Sequence, residues 1–483
     1  MKNRLILKAL HVGLSALCLL VGSVFAAPNG TLDTSVTPNT YTITVGEGVD
    51  VTLNSDDVTA LGTNVKLIKE GGGRLIITNN MSTWEGDFDI DEGYVRLSES
   101  YADGKQDTGT LTLTPGATIE LGGDGVSANR ALLRRKYIYI GGYGMNNAGA
   151  VYAIGNSQNQ IFRGGANVGA SVTYLTADTY FKCSPTIGPR AGTFRLQGYK
   201  LIADGGTFNT CGEVMHGPGE LIMTNSCCLY FENGAQAMLY AGSSGVGPIT
   251  DNVIRLYQGC SIKQGGNGVG FWYPARVPFK VIAEGDATLT TGWNSNAGPQ
   301  YAGYDGGLEV KEDFTVTISG GLVSGTPYLH KFSGVISGNG DIGKTGTHEC
   351  VISNANNTFA GKFTITAGTA DIFGFGSIPP ALNGGIIGAA GTINLDLSQD
   401  TLDDNKLSGI YRGFMTNSVL PSSIAVVDGG IADANLFHAK VDLGQAYTFS
   451  EALADPALIT HAGEETLTLT SSTLARSCLM NYG

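Results

Sequence analysis

Short runs of alternating apolar and polar residues, each closed by glycine, asparagine or aspartate, recur along most of this chain. Examples are "YTITV" (Tyr41–Val45), "GTLTLTPGATIELGG" (Gly109–Gly123), "RRKYIYIGGYG" (Arg134–Gly144), "GTFRLQGYKLIADGGTFNT" (Gly192–Thr210) and "GGLEVKEDFTVTISGG" (Gly306–Gly321). A period of two predicts strands with one face buried and the other polar, and the closing residues are turn formers. Little helical periodicity separates the runs, so βαβ units are not expected. A β-sandwich or a parallel β-helix remains.

An internal repeat decides between them. Laid without gaps on Lys69–Val95, the segment Lys344–Ala370 repeats Lys69/Lys344, Gly71/Gly346, Ile77/Ile352, Asn79/Asn354, Thr83/Thr358, Gly86/Gly361, Phe88/Phe363, Ile90/Ile365 and Gly93/Gly368. Turn glycines and apolar residues recur while the rest drifts, which is what stacked repeats leave in a sequence. The expected fold is all-β, a single-stranded parallel β-helix (β-solenoid), with coils of roughly 20 to 25 residues. Phe88, Ile90, Phe363 and Ile365 should then point inward, and Asn79 and Asn354 should turn the chain and bond a neighbouring coil. Gly86, Gly93, Gly361 and Gly368 should form structural corners that need a positive φ or lack room for a Cβ.

The organisation follows. Residues 1–26, with Lys2, Arg4 and Lys8 before an apolar run and small residues near Ala26, have the form of a cleaved secretory signal peptide. Thr31–Asn64 looks like an atypical first coil. Residues 27–380 make the parallel β-helix, and 381–483 a less regular C-terminal continuation or cap, with short helices expected near 402–423 and 450–465. No transmembrane helix is expected in the mature chain.

Composition agrees. Glycine is 71 of 483 residues and charged residues are 15%, against usual values of roughly 7% and 25%. Removing the leader takes the formal charge from −13 to about −16, a surface that repels nucleic acid and anionic headgroups. Seven cysteines follow the leader, without zinc or "CxxC" spacing; disulfides between neighbouring coils and simple burial are both open.

"ISGNGDIGKTG … VISNANNTFAGKFTITAGTA" resembles the autotransporter-associated β-strand repeat of bacterial secreted passenger proteins. The match lies on Gly338, Gly340, Lys344, Thr345, Gly346, Asn357, Thr358, Phe359, Gly361, Ala367, Gly368 and Thr369. The resemblance implies a right-handed parallel β-helix, pectin-lyase-like in general shape, exposed at the cell surface or secreted, with an adhesin-like role. Such passengers usually precede a translocating barrel, whose alternating strands are not legible before Gly483.

Candidate chemistry is thin. Gly338, Gly343, Lys344 and Thr345 match "GxxxxGK[ST]", and "IAVVD" ending at Asp428 imitates its partner strand. A phosphate loop needs a helix after its lysine, but "GTHECVISN" reads as turn and strand, so no nucleotide partner is expected. Asp87, Asp89 and Asp91 alternate on one strand face and form the one weak Ca²⁺ candidate; their counterparts Lys362, Thr364 and Thr366 show that the repeat does not need acids. Arg130, Arg134, Arg135 and Lys136 could rim an acidic-glycan site or lie outward as ordinary surface charge. Trp84, Trp272, Trp293, Tyr301 and Tyr304 could stack on sugars, although Trp84 aligns with Phe359 and so reads as packing. The histidines lack metal-ligand spacing and no "GxSxG" elbow occurs. No catalytic residue or cofactor is expected. The function expected is a non-enzymatic surface or secreted protein meeting extracellular glycans or a host matrix; a polysaccharide lyase or glycosidase on the same scaffold is the alternative.

Overall fold

The computed structural model describes most of residues 29–373, with breaks of which the longest are 123–130, 163–171, 232–251, 265–274 and 292–300. Beyond 373 it describes the backbone of seven strands. The protein is almost entirely β. Among the described residues, a single α-helix, Ser55–Leu61, and one short 3-10 turn interrupt the strands.

The strands form a 21-stranded sheet and two nine-stranded sheets, with three small pairs beside them. Described pairings are parallel except Thr31–Asp33 with Thr40–Thr44 and Leu322–Val323 with Thr326–Pro327. From Lys280 onward the chain visits the three sheets in turn. Lys280–Ala283 joins the large sheet, Ala287–Thr291 the second and Tyr301–Tyr304 the third; Leu308–Val310, Thr315–Ser319 and Leu329–Phe332 repeat the order. Each strand pairs with the strand of its own sheet one cycle earlier.

In the N-terminal half the large sheet has two rows joined by the long strand Val172–Lys182. Its first residues pair with Tyr137–Gly142 and Thr193–Arg195, and its last with Val151–Ala153 and Lys200–Asp204. Parallel sheets are usually covered on both faces; here alternation leaves one face polar. Tyr41, Leu67, Phe88, Leu111 and Ile138 stand opposite one another in successive strands, each at most 1% exposed. Burying each such side chain contributes about 2 kcal/mol.

The expected inward positions Phe88, Ile90 and Phe363 are buried; the Ile365 side chain lies outside the described residues. Gly93 has φ +74°. A Cβ on Gly86 would meet the Val65 carbonyl oxygen at 2.1 Å, and one on Gly361 the Gly340 oxygen at 1.7 Å. Gly368 is not among the described residues. Asn354 Nδ2 donates to the Ser333 carbonyl, one strand away, at 2.8 Å.

Three expectations need correction. Strand pairs such as Leu75 with Val95 keep the expected spacing, but Tyr137 faces Val172 and Leu221 faces Ile254, so inserted loops make many cycles longer than 25 residues. Within the helix expected at 450–465, Leu458–Ala462 is a strand, because "LITHA" pairs in the third sheet between His438–Val441 and Cys478–Tyr482; 402–423 lies outside the described residues. Finally, the N-terminal end closes with an antiparallel strand and the helix. Buried Asp57 ties them together, accepting from Asn29 N and Nδ2, Tyr41 OH and Asn54 N. Burial and this carboxylate push the Tyr41 phenol up to about 12.

Candidate functional site

The outward face of the first row carries a ladder set by strand register. Asp89 stands opposite Thr112, Thr112 opposite Tyr139, Tyr139 opposite Tyr174, and Tyr174 opposite Arg195. Period-two geometry makes the placement: Ile138 and Ile140 point to the core, so Tyr137 and Tyr139 must point out. The Tyr139 and Tyr174 rings stack at 5.1 Å with 17° between planes, and Tyr137 lies 6.3 Å from Tyr174. Lys136 Nζ sits over the Tyr137 ring at 5.3 Å.

Around the bend of the long strand the pattern continues. Tyr143 lies 6.3 Å from Tyr180, and Lys182 Nζ stands over Tyr152 at 5.2 Å. Tyr180 OH donates to Asp204 Oδ2 at 2.5 Å, and burial together with that carboxylate pushes the phenol pKa up. Burial raises the Asp204 carboxyl, but hydrogen bonds from Tyr180, Thr224 and Asn225 outweigh it and hold the pKa below the usual value. Tyr137 and Tyr143 are 37% and 44% exposed.

Charge behaves differently here from elsewhere on the outer face. Lys66 pairs with Asp89, Arg74 and Arg96 with Glu120, Arg255 with Glu220 and Glu284, and Lys280 and Lys311 with Glu309. Among the described residues, Lys136, Lys182 and Arg195 have no carboxylate at ion-pair distance. The arrangement is a strip of aromatic surface bordered by unneutralised cations on an acidic protein. It can hold apolar and anionic groups together.

The candidates from sequence are scattered. Asp87 Oδ1 accepts from Thr110 N at 2.8 Å, Asp89 bonds Lys66, and Asp91 accepts from Thr114 Oγ1 at 3.4 Å, its pKa raised by burial and by Asp89. Among the described residues no three His, Cys, Asp or Glu side chains converge in a metal-holding arrangement. Lys344 lies in the strand Asp341–Thr345, fully buried, and Nζ donates to the Gly346 carbonyl at 2.8 Å. Lys69 does the same in the other copy, bonding the Gly71 and Glu92 carbonyls. Asp428 lies outside the described residues.

Arg135 is not a rim residue. It is fully buried with its guanidinium 4.2 Å from the Trp84 ring centroid, because Gly104 and Gly109 leave it room. Burial brings its pKa down to about 10, against the pull of Asp103 and Asp87. Trp84 is buried, donating Nε1 to the Val65 carbonyl at 2.8 Å. Tyr304 is likewise no sugar platform: it is fully buried, stacked 4.7 Å from Phe332. Arg130, Arg134, Trp272, Trp293 and the Tyr301 side chain are outside the described residues.

His330 and His348 are buried side by side, centroids 4.7 Å apart, bonded to the Ser319 and Gly320 carbonyls. Cys183, Cys227, Cys260 and Cys350 are buried free thiols and Cys228 is half-buried. Sequence reasoning misses the tyrosine ladder. "YIYI" places Tyr137 and Tyr139 on one face, but their partner Tyr174 follows a long insertion that hides the register.

No protein-family model, curated protein or solved structure matches this chain.

Proposed function

We propose that the chain is a secreted or surface-exposed, non-enzymatic protein built as a right-handed parallel β-helix, whose side faces serve adhesion. The observation that carries this is the three-sheet cycle with in-register ladders. Stacking of that kind yields a long, rigid outer surface on which side chains recur at strand spacing, ~4.8 Å. Export through the leader supports the compartment, and the match to autotransporter-associated repeats supports the surface role. The ionisable residues shared by the two repeat copies, Lys69 and Lys344, are spent on backbone carbonyls inside corners. They therefore serve the scaffold.

Two measurements test the proposal. Expression with the leader intact in a bacterial host, followed by N-terminal sequencing, should give an exported chain beginning near Ala27; retention of an uncleaved chain in the cytoplasm would overturn the compartment. Incubation with pectic and other acidic polysaccharides should yield no new reducing ends or unsaturated products. Appearance of either would replace the adhesive role with that of a lyase or glycosidase.

A further inference from the structure

We propose that the tyrosine ladder is a binding site for uronate-bearing polysaccharide, with Tyr137, Tyr139 and Tyr174 holding the sugar rings and Lys136, Lys182 and Arg195 the carboxylates. This rests on the surface role above and adds the ligand class and its residues.

Three observations meet at this place. The first is aromatic: Tyr139 and Tyr174 stack at 5.1 Å, and Tyr137 beside them is 37% exposed. Tyrosine combines an apolar ring, suited to the C–H face of a pyranose, with a hydroxyl suited to its O–H groups. The second is charge. The protein carries −13 overall, and its cations elsewhere on the outer face are paired in register with carboxylates. Lys136 and Lys182 instead lie over tyrosine rings, and Arg195 extends the Tyr139–Tyr174 ladder by one strand. An anion is the ligand these groups lack, and an acidic macromolecular surface at large would be repelled by the rest of the protein.

The third is spacing. The ladder repeats at the distance between strands, ~4.8 Å, close to the rise of one pyranose along an extended polysaccharide. A polymer lying along the stack would therefore place successive sugars over Tyr139, Tyr174 and Arg195 without changing register. A neutral glycan would use the rings but leave the cations unpaired, which is why the carboxylated class is preferred.

Binding of the full-length mature chain to polygalacturonate and alginate tests this, with dextran as neutral control and heparin as sulfated control, at low and raised salt. The expected result is polyuronate binding weakened by salt and by Lys136→Glu and Arg195→Glu. Tyr139→Ala with Tyr174→Ala should weaken it about tenfold or more. Lys136 is exposed, so Lys136→Gln gives a readout that does not depend on refolding if the tyrosine variant is unstable. Equal binding to dextran, stronger binding to heparin than to either polyuronate, absence of binding, or variants that bind as the parent does would each overturn the assignment. Leader cleavage and polysaccharide-product assays on the same preparation report separately on the secreted, non-enzymatic role, so either conclusion can fail alone.

Discussion

The two repeat copies share residues but not surroundings. Lys69 is the fourth residue of Lys66–Glu70 and Lys344 the fourth of Asp341–Thr345; both point inward and end at the carbonyl of a glycine two residues on. Yet in the first copy the strands Lys66–Glu70, Arg74–Ile77, Phe88–Ile90 and Tyr94–Leu97 all belong to the large sheet. In the second, Asp341–Thr345, Glu349–Ile352 and Thr358–Phe359 belong to three different sheets. Trp84 fills the space where the second copy forms the short strand Thr358–Phe359. The shared sequence therefore encodes a corner between two strands, and a corner can be placed at any edge of the fold.

The sharpest break of that comparison is steric. Gly361→Val puts a side chain where even a Cβ would lie 1.7 Å from a backbone oxygen. Backbone cannot yield as a flexible side chain does, so a loss of about 4 kcal/mol or more is expected, enough to unfold the region. Gly86→Val meets the Val65 oxygen at 2.1 Å and should behave alike. Thermal melts and protease resistance of both variants close to the parent would show that these glycines are not corners.

The next effect separates the copies. Trp84→Ala removes a buried ring that contacts Phe88 at 5.9 Å and Arg135 at 4.2 Å, at a cost of about 3–5 kcal/mol. Phe359→Ala, at the aligned position, removes a half-buried ring and should cost about 1–2 kcal/mol. Equal losses in chemical denaturation would mean that the two sites carry the same packing after all.

Much of this is legible in the order of residues alone. The alternation in "YTITV" or "TLTL" fixes which residues face the core, and the drift-resistant glycines fix the corners. What stays hidden depends on register between strands far apart in sequence. No local pattern tells that Arg135 slides under Trp84, that Tyr174 completes the Tyr139 stack, or that Tyr304 is covered by Phe332. The lysines are readable in part: an identical Lys before a turn glycine in two otherwise divergent copies is better explained by a corner than by a ligand. The copies' different sheet membership is not readable, because sheet assignment is set by what the neighbouring cycles supply.

Acid should divide the molecule. The second copy contains His348, next to His330 and Lys344, whereas Lys69–Val95 contains no histidine. Burial first, then His348 and Lys344, push the His330 pKa down to about 3; burial and Lys344 push His348 down to about 4. Both lie below the unfolded value near 6.5, so the unfolded chain takes up protons first as pH falls. The stability of the neutral pair is complete above about pH 6.5 and is lost as pH drops toward 4 and 3, roughly 2–4 kcal/mol in all. Hydrogen exchange should show Leu329–Phe332 and Glu349–Ile352 losing protection near pH 4 while Lys66–Glu70 keeps it. Uniform loss across both regions would remove the histidines as the cause.

Base should reunite them, with the smallest effect. Burial brings the Lys69 pKa down to about 8 against the pull of Glu92, and that of Lys344 to about 8 against Cys350. Free lysine titrates near 10.4. Between these values the folded chain has released two protons that the unfolded chain still holds, so stability rises with pH from about 8 to 10.4. Below pH 8 both ammonium groups are charged in either state and the slope vanishes. The carbonyls that accept from each Nζ favour the charged form, so the rise should be about 1 kcal/mol per lysine, well under what the full shift would give. Urea denaturation from pH 7.5 to 10 should show it in the parent, halved in Lys69→Met and in Lys344→Met, and absent in the double variant. A loss in only one single variant would mean that the two corners, alike in sequence and in hydrogen bonding, differ in how water reaches their lysines.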